Sequence, residues 1–147
     1  MAVQTNYSEN IATAFEGMIA NTEPNTLISR TVEGAAIGFG KVVKQGAADY
    51  GVAAATAADD VYRGITVRDQ STTDDEFAVG DSALVITQGV IWVTAGEAVE
   101  AGEAVYMKVG TADAGKFMST STNNLAISGA VFDTSGAKDT LVAVRLA

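Results

Sequence analysis

The chain has 147 residues, Lys+Arg 9 against Asp+Glu 18, a formal net charge of -9, and neither cysteine nor histidine. That length gives one domain able to bury a core without metal or disulfide staples, and the two missing residue types exclude thiol and imidazole catalysis, disulfide frameworks and Cys/His metal sites. An acidic surface repels nucleic acid and anionic lipid, while 48% hydrophobic against 18% charged residues excludes disorder and points to surface buried against partners.

The elements follow in chain order. Met1 to Tyr7 has neither a basic n-region nor an apolar h-region, so no secretory signal is expected there, and no run reaches the ~20 apolar residues of a membrane helix. Residues 1 to about 26 hold the only proline, Pro24, and carry Ile11, Phe15, Met18 and Ile19 at helical spacing behind a possible Ser8 cap. Gly17 weakens that helix. The segment reads as an arm with apolar anchors, either a weak helical turn or extended; the alternative is a first element of the core.

From Leu27 the signals are β. Leu27–Val32 is a strand ended by Glu33-Gly34. Ile37–Val43 alternates large with small or polar residues, placing Gly38 and Gly40 on one face, where glycine permits close approach of another backbone or a bend. Tyr50–Val52 is a short strand, and Val61–Val67 another. The polar, acidic stretch Asp69–Glu76 is a surface loop. Gln88-Gly89, between Ala83–Thr87 and Val90–Thr94, reads as a tight hairpin. Ala95–Val99 and Ala101–Val105 repeat one Ala-Gly-Glu-Ala-Val unit, expected at successive bends of a meander. Tyr106–Val109, Phe117-Met118, Leu125–Phe132 and Leu141–Leu146 complete eight to ten strands. The expected fold is all-β, a small antiparallel barrel or a jelly-roll-like sandwich with an N-terminal arm, divided as arm 1–26 and β domain 27–147.

Little chemistry is visible. Gly38-Phe39-Gly40 lacks the third glycine and the following helix of a dinucleotide loop. Without histidine a serine nucleophile has only lysine or a carboxylate as base, and no Ser-x-x-Lys occurs. Asp59-Asp60, Asp74-Asp75-Glu76 and Asp81 have the oxygen chemistry to hold a hard cation, but in polar loops such acids serve first as turn formers and solvating charges. Trp92 and Tyr106 suit a core or subunit interface. The nine basic residues are scattered, so no nucleic-acid patch forms. No catalytic residue, metal ligand, cofactor or small-molecule substrate is expected.

The order of several segments resembles the tailed-phage capsid cement (decoration) proteins. They are Gly17–Ala20, Ile28–Gly34, Phe39–Val43, Tyr62–Thr66, Gly80–Val85, Gly89–Val93 and Ala101–Tyr106. The likeness covers most of the chain, best from Gly17 to Tyr106. It implies a compact β protein without catalysis that sits on the outer surface of a phage capsid as a dimer or trimer. There it would stabilise junctions between major capsid protein subunits. It also implies synthesis in the host cytoplasm and no membrane or nucleic-acid partner. The other reading is a tail or surface module, or a carbohydrate-binding domain. A net charge of -9 suits a surface facing solvent, and many copies around a shell add avidity to modest affinity. Under this reading Tyr7, Phe15, Met18 and Ile19 are the partner-gripping residues.

Overall fold

The computed structural model describes residues 14–110 and 112–147. Among them are eleven strands and no helix: β1 Thr26–Val32, β2 Ile37–Gly38, β3 Val42–Gln45, β4 Gly51–Ala54, β5 Tyr62–Thr66, β6 Glu76–Phe77, β7 Ser82–Thr94, β8 Ala104–Met107, β9 Phe117–Met118, β10 Leu125–Phe132 and β11 Leu141–Leu146. The main sheet runs β1-β4-β3-β5-β7-β11-β10-β8-β9, and a second pairing of β1 with β7 closes its first five strands into a barrel. All of its pairings are antiparallel except β1 with β4. The expected small barrel is therefore present, and the sheet continues out of it through β7.

Two apolar cores follow. Val32, Ile37, Phe39, Val43, Val52, Phe77, Ala83 and Val85 form the smaller. Barrel strands supply five of these eight, and the β2–β6 ribbon adds Ile37 and Phe77. Phe39 meets Phe77 edge to face at 5.2 Å. The larger core lies between the outer side of the barrel and the extended sheet, and joins Val42, Ile65 and Ile86 to Val93, Phe117, Phe132 and Val144. Neighbouring residues of one strand thus feed different cores, Val42 the larger and Val43 the smaller, as the period-2 pleat requires.

Two sequence expectations are corrected. Gln88-Gly89 does not turn the chain: β7 runs straight through as one 13-residue strand. Thr26 faces Gln88 and Leu27 faces Ile86, so Thr87 is the extra residue of a β-bulge. The bulge changes which residues face the larger core, from Leu84 and Ile86 before it to Ile91 and Val93 after it. Gly89, at φ +126, takes up the bend. The strand expected over Ile37–Val43 is also interrupted. It breaks at Phe39-Gly40 into β2 and β3, and Gly40 has φ +67.

Candidate functional site

The stretch before β1 is held as a strap along β7. The Gly17 amide donates to the Trp92 carbonyl at 2.8 Å, the Trp92 amide to the Met18 carbonyl at 2.8 Å, and the Ala20 amide to the Val90 carbonyl at 2.9 Å. Ile19 pairs antiparallel with Ile91. No helix forms at 14–20. A turn closed by the Met18 amide on the Phe15 carbonyl has Gly17 at φ +85 in its third position, a conformation glycine adopts without strain. The turn lies against the Phe39-Gly40 bend: a Cβ on Gly17 would be 2.9 Å from the Gly40 nitrogen, and one on Gly40 would be 3.0 Å from the Gly17 nitrogen. The close backbone approach expected at Gly40 is made by the chain's own strap.

Ion pairs fasten the strap at both ends. Glu16 meets Lys41 at 2.8 Å. Glu23 takes both terminal nitrogens of Arg145, whose other carboxylate partner is Asp133 at 3.2 Å. The hydrogen bond from Arg145 holds the Glu23 carboxyl below its ordinary value.

Of the four residues expected to grip a partner, Tyr7 lies outside the described residues. Ile19 is half-buried against the larger core of its own domain, and Met18 is half-buried on the strap. Phe15 is 52% exposed. Its ring lies 5.3 Å from the Arg68 guanidinium carbon, which lies 5.1 Å from the Phe39 ring, a cation–π arrangement. Arg68 is paired with Asp75 at 2.8 Å. A shallow depression bounded by Phe15, Arg68, Gln70, Thr72 and Asp75 adjoins this stack. Sequence reading did not find Arg68 or Phe39 as companions of Phe15. The signal available was the glycine pair, Gly17 and Gly40, which marks where two distant segments touch.

A second exposed feature lies at the barrel end where β1 finishes. Tyr50 is 72% and Val79 57% exposed, with Arg30 5.4 Å above the Tyr50 ring. The Glu33 carboxylate accepts the Ala47 and Ala48 amides at 2.7 and 3.1 Å, fixing the β3–β4 loop beside it.

Of the acids weighed for cation binding, Asp60, Asp75 and Asp81 serve loops and ion pairs. The Asp60 carboxylate accepts the Thr56 and Ala57 amides and the Lys44 ammonium. Burial pushes its carboxyl up, but those partners outweigh burial and hold it below the ordinary range. Asp81 accepts the Ala78 amide at 3.0 Å. Among the described residues no group of three or more His, Cys, Asp or Glu side chains is placed to hold a metal. Trp92 is half-buried beside the strap and Tyr106 half-buried on β8.

Comparison with known proteins identifies the class. The profile of a family described as "Structural cement protein (E217 gp24/Pam3 gp6)" matches residues 3–147. The chain belongs to this family of phage structural cement proteins. The role of the family is a structural one at the phage capsid, and the chain is accordingly a virion component that cements or decorates the capsid. Two solved structures share the fold. One, described as "The capsid of Myoviridae Phage XM1", is 21% identical with a TM-score of 0.77 over 99% of this chain and 98% of that one. The other, "The crystal structure of head fiber gp8.5 N base in bacteriophage phi29", is 12% identical with a TM-score of 0.55 over 84% and 95%. No curated protein matches the chain.

Proposed function

We propose that this cement protein works from the outer surface of the capsid, clamping adjacent major capsid protein subunits, without catalysis and as a dimer or trimer. The observation that carries the cement reading is the family match over nearly the whole chain, 3–147. The acidic surface supports the outward placement, since a net charge of -9 is unfavourable beside packaged nucleic acid and harmless toward solvent.

The gripping element is the strap's leading end. Phe15 presents an exposed ring where the chain emerges from residues 1–13, and Tyr7 lies within those residues. Met18 and Ile19 act with it by holding the strap on β7. Contacts repeated around a shell need only modest strength each.

The test is cosedimentation with empty, expanded shells of the cognate phage. The full chain is expected to decorate them and to raise their melting temperature. A chain lacking residues 1–13 is expected to stay folded and lose most of its occupancy, and Phe15→Ala to lose part of it. Failure of the full chain to bind shells overturns the cement reading. Wild-type occupancy of the truncated chain overturns the role of the arm alone.

A further inference from the structure

Among the described residues, β1 is paired along one edge and nearly bare along the other. Thr26 to Thr31 pair with β7, whereas β4 reaches only Thr31 and Val32. The Thr31 amide donates to the Tyr50 carbonyl at 3.0 Å, away from β7, and the Val32 amide donates to the Asp81 carbonyl, on β7's side. Sides alternate along an antiparallel ladder. The amides of Leu27 and Ser29 therefore point toward the edge that β4 does not cover, and no strand pairs with them there among the described residues. Leu27 is exposed on this stretch.

Arg30 closes off part of the edge. Its Nη1 donates to the Ser29 carbonyl at 2.8 Å, while its Nε is buried with no hydrogen-bond partner. Among the described residues Arg30 belongs to no ion pair. Its guanidinium rests over the exposed Tyr50 ring. Natural sheet edges are usually guarded by proline or charge; here Pro24 and Arg30 stand at the two ends, with an uncharged Asn25–Ser29 between them.

We infer that the Leu27–Ser29 edge of β1 receives an extended segment of the capsid subunit, which adds as a strand and brings a carboxylate to Arg30. This rests on the cement reading above. The incoming amide replaces Arg30 at the Ser29 carbonyl, the Leu27 and Ser29 amides donate to the added strand, and the released guanidinium pairs with the carboxylate beside Tyr50. Such strand addition takes its affinity from main-chain hydrogen bonds, and tyrosine and arginine are the residues enriched at interface centres. Charge argues against a second copy as the occupant. Two copies each carry -9, and Asn25 to Val32 holds no acid that would answer Arg30 across a β1–β1 pairing.

Hydrogen exchange of the full protein, free and bound to cognate empty shells, tests this. In the free protein the Leu27 and Ser29 amides should exchange fast and the Ile28 amide slowly. On shells the first two should slow at least ~10-fold. Ser29→Pro removes the outward donor, leaves the Ile28 and Arg30 amides free to bond β7, and should weaken shell binding about 10-fold, a free-energy change of about 1.4 kcal/mol. Arg30→Glu should weaken it as well, without the backbone change. Slow exchange at Leu27 and Ser29 in the free monomer, or slowing that appears with self-association and no shell, overturns the inference. So does shell binding with both amides still fast. Absence of any shell binding strikes instead at the cement reading on which the inference rests.

Discussion

The two halves of β7 show two ways of protecting a strand. Its first half, Ser82–Gln88, lies between β1 and β5 in a closed barrel, where closure itself removes the edge. Its second half, from Gly89, has β11 on one side and, among the described residues, only the strap Gly17–Ala20 on the other. The first half is secured by barrel strands on both sides; the second is secured by β11 and the larger core, and on its other side by a few hydrogen bonds and the Glu16 and Glu23 ion pairs. Closure is insensitive to pH and salt, whereas exposed ion pairs respond to both. The strap side of β7 is therefore its adjustable side, and the barrel side its robust one.

The sharpest way to break this comparison is to damage one core at a time. Phe77 fills the barrel core and Phe132 the larger core, and both are about 1% exposed. Either one changed to alanine should cost about 4 kcal/mol. If β7 couples the halves, Trp92 fluorescence and far-ultraviolet dichroism will give one coincident urea transition in both variants. Separate transitions in Phe77→Ala would mean that the halves unfold independently.

A smaller effect is expected at the joint. A Cβ on Gly89 would be 2.7 Å from the Asn25 Cβ and 3.1 Å from the Ile86 Cδ1, at φ +126. Gly89→Ala should cost about 2 kcal/mol. Gly102→Ala is the control: it also has positive φ, +94, but open space around the new methyl group, and should cost about 1 kcal/mol. Equal costs in urea denaturation would show that Asn25 does not press on the joint.

The smallest effect concerns the strap. The folded state holds the Glu23 carboxyl below its ordinary value of 4.5, chiefly through Arg145. A lowered carboxyl contributes stability that is present above the unfolded value and lost as pH falls through the folded one. Glu23→Gln should therefore melt slightly below the wild type at pH 7, with the difference shrinking as the pH falls below 4.5. A difference that does not shrink on acidification would assign the effect to packing.

The strands were largely legible because alternation and turn residues are local. β1, β5, β9, β10 and β11 lie within about a residue of where Leu27–Val32, Val61–Val67, Phe117-Met118, Leu125–Phe132 and Leu141–Leu146 placed them. Gln88-Gly89 misled because glycine at positive φ serves a bulge as well as a turn, and only pairing partners decide between them. Ile37–Val43 misled for a related reason: its alternation is real, since Ile37 and Phe39 share a core with Val43, but Gly40 bends the chain between them. At the candidate site Phe15 was legible as an apolar residue of the segment before β1. Its stacking on Arg68 was not, because nothing local links residue 15 to residue 68. Ile19 had the same appearance in sequence and packs on its own domain. The open edge of β1 was invisible for another reason. It follows from the stagger between β1 and β4, a property of the closed barrel as a whole.

The strap also sets an order of events in synthesis. Its hydrogen-bond partners are Val90 and Trp92, and Glu23 waits for Arg145, 122 residues further on. Synthesis makes the strap long before it makes β11, so the last sheet contacts close only once β11 has emerged. Folding dominated by such distant pairings is slow, and until it finishes the β7 edge is open to other chains. Crowded expression at high temperature should therefore yield aggregates that form before the fold is complete, and slower synthesis in the cold should relieve them.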